Sequence, residues 1–242
     1  MRFIFDVDGT LTPSRQRIDL GFEKYFMDFC EDNEVYFVTG SDRQKTIEQL
    51  GVEIYDRAVR VYNCSGNSVW EKDVCVHGKN WIPEPEVYDE LIYFMMDTKY
   101  PYEFTGRHIE GRPGCINFSI VGRNADWLHR QKYKDFDEKN NERVMMVERF
   151  NSKFPDLQAT IGGETGLDIF PKGWDKSQIA EMHFEDCSNV YFFGDKMDEG
   201  GNDFTLAEEV ISRGGQAFAV TDYLDTWDTL LAMSTSYDFS KK

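Results

Sequence analysis

Four short apolar runs, each ending in polar residues, constrain this chain more than any other feature. Phe3-Ile4-Phe5 runs into Asp6-Val7-Asp8, and Val35-Tyr36-Phe37-Val38 into Thr39-Gly40-Ser41-Asp42. Val190-Tyr191-Phe192-Phe193 runs into Gly194-Asp195, and Ala217-Phe218-Ala219-Val220 into Thr221-Asp222. Runs of this kind read as strands buried on both faces, which points to a parallel sheet. Right-handed crossovers then bring the strand ends to one edge, where open α/β sheets place their ligands. Phe22, Tyr25, Phe26 and Phe29 recur at helical spacing between the first two runs, and Gly51 reads as the stop of the next helix. The expected frame is an α/β core.

Asp6 and Asp8 stand two residues apart, directly before Gly9. A carboxylate at a strand end can attack phosphorus as a nucleophile. A second one can move protons to and from a hydroxyl. The spacing also fits the start of a calcium loop, but such a loop needs glycine at its sixth position and glutamate at its twelfth. Leu11 and Arg17 stand there, which excludes it.

Composition removes other classes. Forty-four acidic against 27 basic side chains give a net charge of −17, which opposes a nucleic-acid partner. The five cysteines are scattered and form no CxxC, so a reduced cytoplasmic protein is expected. No apolar stretch is long enough for a bilayer, and the immediate entry into a strand reads as no signal peptide. The N-x-S triplets at Asn63 and Asn117 therefore read as accidental. The tail after Ser234 is expected to fray.

The middle of the chain has a different rhythm. Ile116 to Ile120 alternates apolar and polar residues, Val144, Val147, Phe150 and Phe154 follow a helical spacing, and two extended runs bracket Gly162-Gly163-Glu164-Thr165-Gly166. Strands and helices without βαβ order imply an antiparallel α+β unit inserted into the core. The expected division is 1–77 and 173–242 for the core and 78–172 for the insertion.

Other residues could join Asp6 and Asp8. The acidic, glycine-rich loop Asp195 to Asp203 offers oxygen ligands to a hard cation, and the spacing leaves open which of Asp198, Asn202 and Asp203 joins Asp195. Ser41 can donate to a phosphoryl oxygen and can also cap the following helix, roles that do not exclude one another. Lys176 reads as lying at a helix start, where a cation opposes the helix dipole, so a phosphoryl group or Asp6 is its expected partner. Arg15, Arg112, Arg123 and Arg130 carry guanidinium forks suited to phosphate.

With these residues on the page, the chain resembles the haloacid dehalogenase (HAD) superfamily and, more narrowly, the eukaryotic-type phosphomannomutases. The stretches FDVDGTLTPSRQ at 5–16, NFSIVGR at 117–123, IGGETGLDIFPKGWDK at 161–176 and YFFGDKMDEGGND at 191–203 carry the likeness. It implies a HAD-like Rossmannoid core with an α+β cap, Asp6 as phosphorylated nucleophile, Asp8 as general acid/base, and Ser41 and Lys176 as catalytic partners. It implies Mg²⁺ at Asp6, Asp8 (through its carbonyl) and Asp195, and Asp203 completes the expected metal set. Arg15, Arg112, Arg123, Arg130, Gly166 and Asp168 fall on the family's substrate-binding positions, Gly166 where the family has a serine. The implied reaction interconverts hexose 6- and 1-phosphates, mannose before glucose, with a hexose 1,6-bisphosphate activator. A HAD-type sugar-phosphate phosphatase is the alternative. Small-molecule sugar phosphates are the implied partners, and members commonly pair through the cap, for which no interface signature is legible.

Overall fold

In the computed structural model, residues 1–239 are described, with side chains through Ser234. The chain divides into two compact units, Met1–Gly78 with Trp174–Lys242, and Lys79–Gly173.

The first unit opens with β1 (Arg2–Phe5), α1 (Leu20–Asp32), β2 (Glu34–Val38), α2 (Arg43–Leu50), α3 (Val52–Arg57), β3 (Arg60–Asn63), β4 (Ser68–Glu71) and β5 (Val74–Gly78). Local chemistry sets the helix ends. Asp19 caps α1 by accepting from the Gly21 and Phe22 amides, and Asp42 caps α2 by accepting from Lys45 N. Gly51 follows α2 at φ 81°, a region that favours glycine.

The inserted unit holds α4 (Pro85–Asp97), β6 (Ile109–Arg112), β7 (Cys115–Phe118), α5 (Trp127–Asn140), α6 (Glu142–Lys153), β8 (Leu157–Gly162) and β9 (Gly166–Pro171). Its strands form an antiparallel sheet in the order β6-β7-β9-β8. Ile116, Phe118, Leu167 and Ile169 bury into a core shared with Leu91 and Phe94 of α4 and Phe150 of α6. Val144 departs from the expected stripe and is exposed. At about 100° per residue it stands about 120° around the helix from Phe150, while Met146 takes the buried position one turn away.

The chain then returns to the first unit through α7 (Gln178–His183), β10 (Val190–Gly194), α8 (Phe204–Ser212), β11 (Gln216–Ala219) and α9 (Tyr223–Phe239). Helical backbone through Phe239 replaces the frayed tail expected after Ser234, and residues 240–242 lie outside the described residues. The seven strands run β11-β10-β1-β2-β3-β4-β5. All pairs from β11 to β3 are parallel, and β4 and β5 extend the edge antiparallel. This is the mostly parallel α/β core expected from the apolar runs.

Two consequences matter for the site. From β1 the chain steps to β2 and β3 on one side, while β10 and β11 return on the other. The reversal of strand order falls between β1 and β10, where α/β sheets open a crevice at their carboxyl ends. The register pairs Phe5 with both Phe193 and Phe37, so Asp6 and Asp195 leave the same edge. Beneath it, Phe5 packs against Phe193 at 5.1 Å and Phe26 at 5.2 Å between ring centroids. Truncating such a ring costs about 3–5 kcal/mol, so the floor of the crevice is stiff.

Candidate functional site

The carboxyl edge of the core sheet gathers Asp6, Asp8, Ser41, Lys176, Asp195 and Asp203. Lys176 is the hub. Only 1% exposed, its Nζ donates to Asp6 Oδ1 at 2.5 Å and to Asp203 Oδ1 at 2.7 Å. It lies just before α7, whose cap is Ser177, so Asp6 and Asp203 rather than a place in the first helical turn hold it. Its segment is anchored on both sides. Asn67 Nδ2 donates to the Trp174 carbonyl at 3.0 Å, and Asp175 Oδ1 accepts from Ser177 N, Ser177 Oγ and Thr205 Oγ1.

Asp203 is the member of the acidic loop that joins Asp195. The loop closes on itself, since Asp203 N donates to the Lys196 carbonyl at 3.1 Å and Lys196 N donates back to Asp203 Oδ2 at 3.2 Å. Asp6, Asp195 and Asp203 each offer an oxygen within 4.8 Å of the others. A divalent cation with ligands at about 2.1 Å sets neighbouring oxygens about 3 Å and opposite ones about 4 Å apart, so the three carboxylates draw together to share one ion. Asp195 Oδ1 is buried without a hydrogen-bond partner, and all three donors are hard oxygens. These residues fit Mg²⁺. Asp8 contributes no carboxylate to this cluster.

Charge sets what the cluster can hold. Burial pushes Asp6 up to about 8, with Asp203 and Asp195 adding to the rise and Lys176 opposing it. Burial likewise raises Asp195. Lys176 is pulled down by burial, but the Asp203 and Asp6 carboxylates more than reverse this and keep it protonated. Lys176, together with Lys196 on Asp195 Oδ2 at 3.0 Å, still leaves three carboxylates facing two ammonium groups, and a nucleophilic Asp6 must be ionised.

The loop after β1 supports the same edge. Gly9 sits at φ 86°, and a Cβ there would come within 2.4 Å of Asp195 Oδ2, so this position has no room for a side chain. Thr226 of α9 donates to the Thr10 carbonyl at 2.7 Å. The Asp8 carboxylate accepts from Arg15 N at 2.7 Å, Gln49 Nε2 at 3.0 Å and Ser41 Oγ at 3.5 Å. Ser41 therefore faces Asp8, and Asp42 takes the cap of α2. The Arg15 side chain is exposed.

Arg112, Arg123, Arg130, Gly166 and Asp168 belong to the inserted unit and form their own cluster. Glu110, Asn117, Asp168 and Thr160 are register neighbours across β6, β7, β9 and β8, so they share one face of the sheet. Arg112 and Arg123 converge on Glu110 Oε2 at 2.9 and 3.0 Å. Burial alone would raise Glu110, but Arg112 and Arg123 hold its carboxyl below the usual range. Arg130 donates to the Ala125 and Arg123 carbonyls and so fastens the loop that carries Arg123. Asp168 accepts from Asn117 Nδ2 at 2.6 Å. A Cβ on Gly166 would come within 2.9 Å of that same amide, so Asn117 fills the space a side chain at 166 would need.

Gln49 and Glu110 are not among the residues the sequence points to, and Asn117 enters there only as the head of an N-x-S triplet. A signal existed for Gln49, which shares the buried face of α2 with Thr46 and Leu50. Glu110 and Asn117 sit on strands where alternation alone does not distinguish an organised polar face from a solvated one.

Comparison with known proteins adds an independent line. The family model of eukaryotic phosphomannomutase matches residues 22–232. The phosphomannomutase of Saccharomyces cerevisiae is 34% identical over 214 residues, covering 84% of this chain and 83% of that protein. The phosphomannomutase of Encephalitozoon cuniculi is 35% identical over 215 residues, with 84% and 83% covered. Among solved structures, a haloacid dehalogenase-like hydrolase from Bacteroides thetaiotaomicron superposes with a TM-score of 0.62 at 13% identity, covering 96% of this chain and 98% of that one. A trehalose-6-phosphate phosphatase related protein gives 0.55 at 15% identity and covers both chains fully. At these identities the structural likeness speaks for a HAD-like fold alone.

Proposed function

The chain belongs to the eukaryotic phosphomannomutase family, and from that premise we propose that it interconverts hexose 6- and 1-phosphates, mannose first and glucose next, through a phosphorylated Asp6. The observation that carries this reading is Lys176, buried and paired with both Asp6 and Asp203 at the carboxyl edge of the sheet. It fixes the nucleophile at a strand end and supplies positive charge where a phosphoryl group would arrive.

The residues divide the work. Asp6 attacks a phosphorus of a hexose 1,6-bisphosphate, and the bond from that phosphorus to the sugar oxygen breaks. Asp8 gives its proton to that oxygen. In the return step Asp8 takes the proton from the acceptor hydroxyl of a monophosphate, which then attacks phospho-Asp6. Ser41 donates to a phosphoryl oxygen, and Lys176 balances charge through both steps. Asp6, Asp195 and the Asp8 carbonyl, with Asp203 alongside, would hold Mg²⁺, which would supply the charge that keeps Asp6 ionised. In the inserted unit, Arg112, Arg123 and Arg130 offer guanidinium groups to a phosphate and Asp168 a carboxylate to sugar hydroxyls, and in the core Arg15 is a further phosphate ligand. Gly166 gives this chain no hydroxyl at that position.

Two wider features follow from the same premise. All five cysteines are free thiols, which suits a reducing cytoplasm. Among the described residues no helix is long and apolar enough to cross a membrane. On α4, Ile92, Tyr93 and Met96 are exposed, an apolar face suited to pairing two copies through the inserted unit.

The test is product analysis. Mannose 1-phosphate with Mg²⁺ and hexose 1,6-bisphosphate should yield mannose 6-phosphate, with turnover dependent on the bisphosphate. Release of inorganic phosphate without 6-phosphate would make the protein a sugar-phosphate phosphatase instead.

A further inference from the structure

The Asp8 carboxylate is partnered unevenly. Its Oδ1 accepts two N–H donors, the Arg15 main-chain amide at 2.7 Å and Gln49 Nε2 at 3.0 Å. Its Oδ2 faces the Ser41 hydroxyl at 3.5 Å, a long contact. Two amide donors occupy the lone pairs of Oδ1, and neither can accept a proton in return. A proton on Asp8 therefore belongs on Oδ2.

Gln49 is the adjustable half of this arrangement, since the other donor is main chain. It lies on α2, only 1% exposed, and its Nε2 also donates to Thr12 Oγ1 at 3.1 Å. Its Oε1 is buried without a hydrogen-bond partner. Such an atom costs about 1–3 kcal/mol and calls for an explanation. Turning the amide over would set Oε1 against Asp8 Oδ1, oxygen against oxygen, so the carboxylate dictates the orientation.

We propose that Gln49 is a positioning residue for the phosphotransfer. It fixes the Asp8 carboxylate so that Oδ2 is the oxygen that exchanges the proton. As the Asp6–phosphorus bond forms and the bond to the sugar oxygen breaks, the proton passes from Asp8 Oδ2 to that sugar oxygen. In the return step it passes from the acceptor hydroxyl back to Oδ2. This rests on the acid/base role proposed above for Asp8.

The experiment compares two phosphoryl donors in single-turnover phosphorylation of Asp6. Hexose 1,6-bisphosphate releases an alkoxide, which needs the proton. p-Nitrophenyl phosphate, used at concentrations the parent turns over, releases a phenolate that leaves without it. Gln49→Met keeps the chain length and removes the amide. It should slow transfer from the bisphosphate about tenfold more than transfer from the nitrophenyl donor, a part of the roughly 10²–10⁴-fold that general acid catalysis contributes in full, with KM for the hexose phosphates changed less than about twofold. Equal losses on both donors, or no loss, would overturn the inference. If circular dichroism shows Gln49→Met unfolded, Gln49→Glu, which keeps the shape, decides the same comparison. Asp8→Asn runs alongside and should show a larger split of the same sense. If Asp8→Asn handles both donors as the parent does, the acid/base reading of Asp8 fails. If Asp8→Asn shows the split and the Gln49 variant does not, the inference alone fails.

Discussion

The two polar clusters of this molecule use opposite electrostatics. In the core, Asp6 and Asp203 hold one buried lysine beside Asp195, which pairs with Lys196, and burial drives Asp6 up to about 8. In the inserted unit, Arg112 and Arg123 converge on a partly exposed Glu110 and hold it below its ordinary range. Acid excess in a dry crevice asks for a cation, and a pair of guanidinium forks asks for an anion. In the reaction proposed above, the first suits a metal and the second a phosphate. Neither cluster alone would identify the reaction.

Removing the hub of the core cluster should have the largest effect. Lys176→Met leaves two buried carboxylates without their counter-charge, a change that typically costs about 3–5 kcal/mol. Urea unfolding should report that loss, millimolar Mg²⁺ should restore part of it, and phosphotransfer should fall about 10³-fold or more. Unchanged stability in chelator would show that the pairing with Asp6 and Asp203 contributes little.

Acidity separates the clusters next. Asp6 is raised from 3.8 to about 8, so in chelator the folded state holds a proton that the unfolded chain has lost. Its contribution is therefore full at low pH and declines as pH rises from about 4 towards about 8. Glu110 is lowered, so its contribution is present above its unfolded value near 4.5 and is lost as pH falls through the folded one. Stability measured against pH in chelator should lose its decline towards neutrality in Asp6→Asn and part of its acid-side decline in Glu110→Gln. The same slopes in parent and variants would remove the contrast.

The inserted unit sharpens the comparison at a smaller scale. Arg112→Leu removes a charge-assisted hydrogen bond worth about 1.5–3 kcal/mol. It should raise KM for the hexose monophosphate about 10- to 100-fold while lowering kcat less. A loss confined to kcat would place Arg112 with the reacting phosphate rather than with the held one.

The core was legible in sequence for a physical reason. Strands buried on both faces are apolar throughout, so Phe3–Phe5, Val35–Val38 and Val190–Phe193 mark both the sheet and the edge where Asp6, Ser41 and Asp195 emerge, whereas Ala217–Val220 carries the same pattern but gives the partly exposed edge strand β11. Lys176 was legible because a lysine beside a helix start needs a partner, and Asp6 is that partner. What could not be read depends on side-chain direction. Asp203 reaches Asp6 and Lys176 because the loop folds back through Lys196, a closure that spacing does not encode. Gln49 looks like a surface glutamine until its face of α2 is known to be buried. In the inserted unit, alternation gave β7, but which polar residues of the row from Glu110 to Thr160 pair with arginines required the register. Val144 misled because a helical period fits several apolar sets, and only packing selects Met146 and Phe150.

The site of phosphoryl attachment tests the central claim most directly. Protein mixed with hexose 1,6-bisphosphate and Mg²⁺, quenched in acid and digested, should show by tandem mass spectrometry one acyl phosphate, on Asp6. The modification should be absent from Asp6→Asn and should disappear when hexose monophosphate is added before the quench. Phosphate on another residue, or its persistence in Asp6→Asn, would contradict the assignment of Asp6 as the nucleophile.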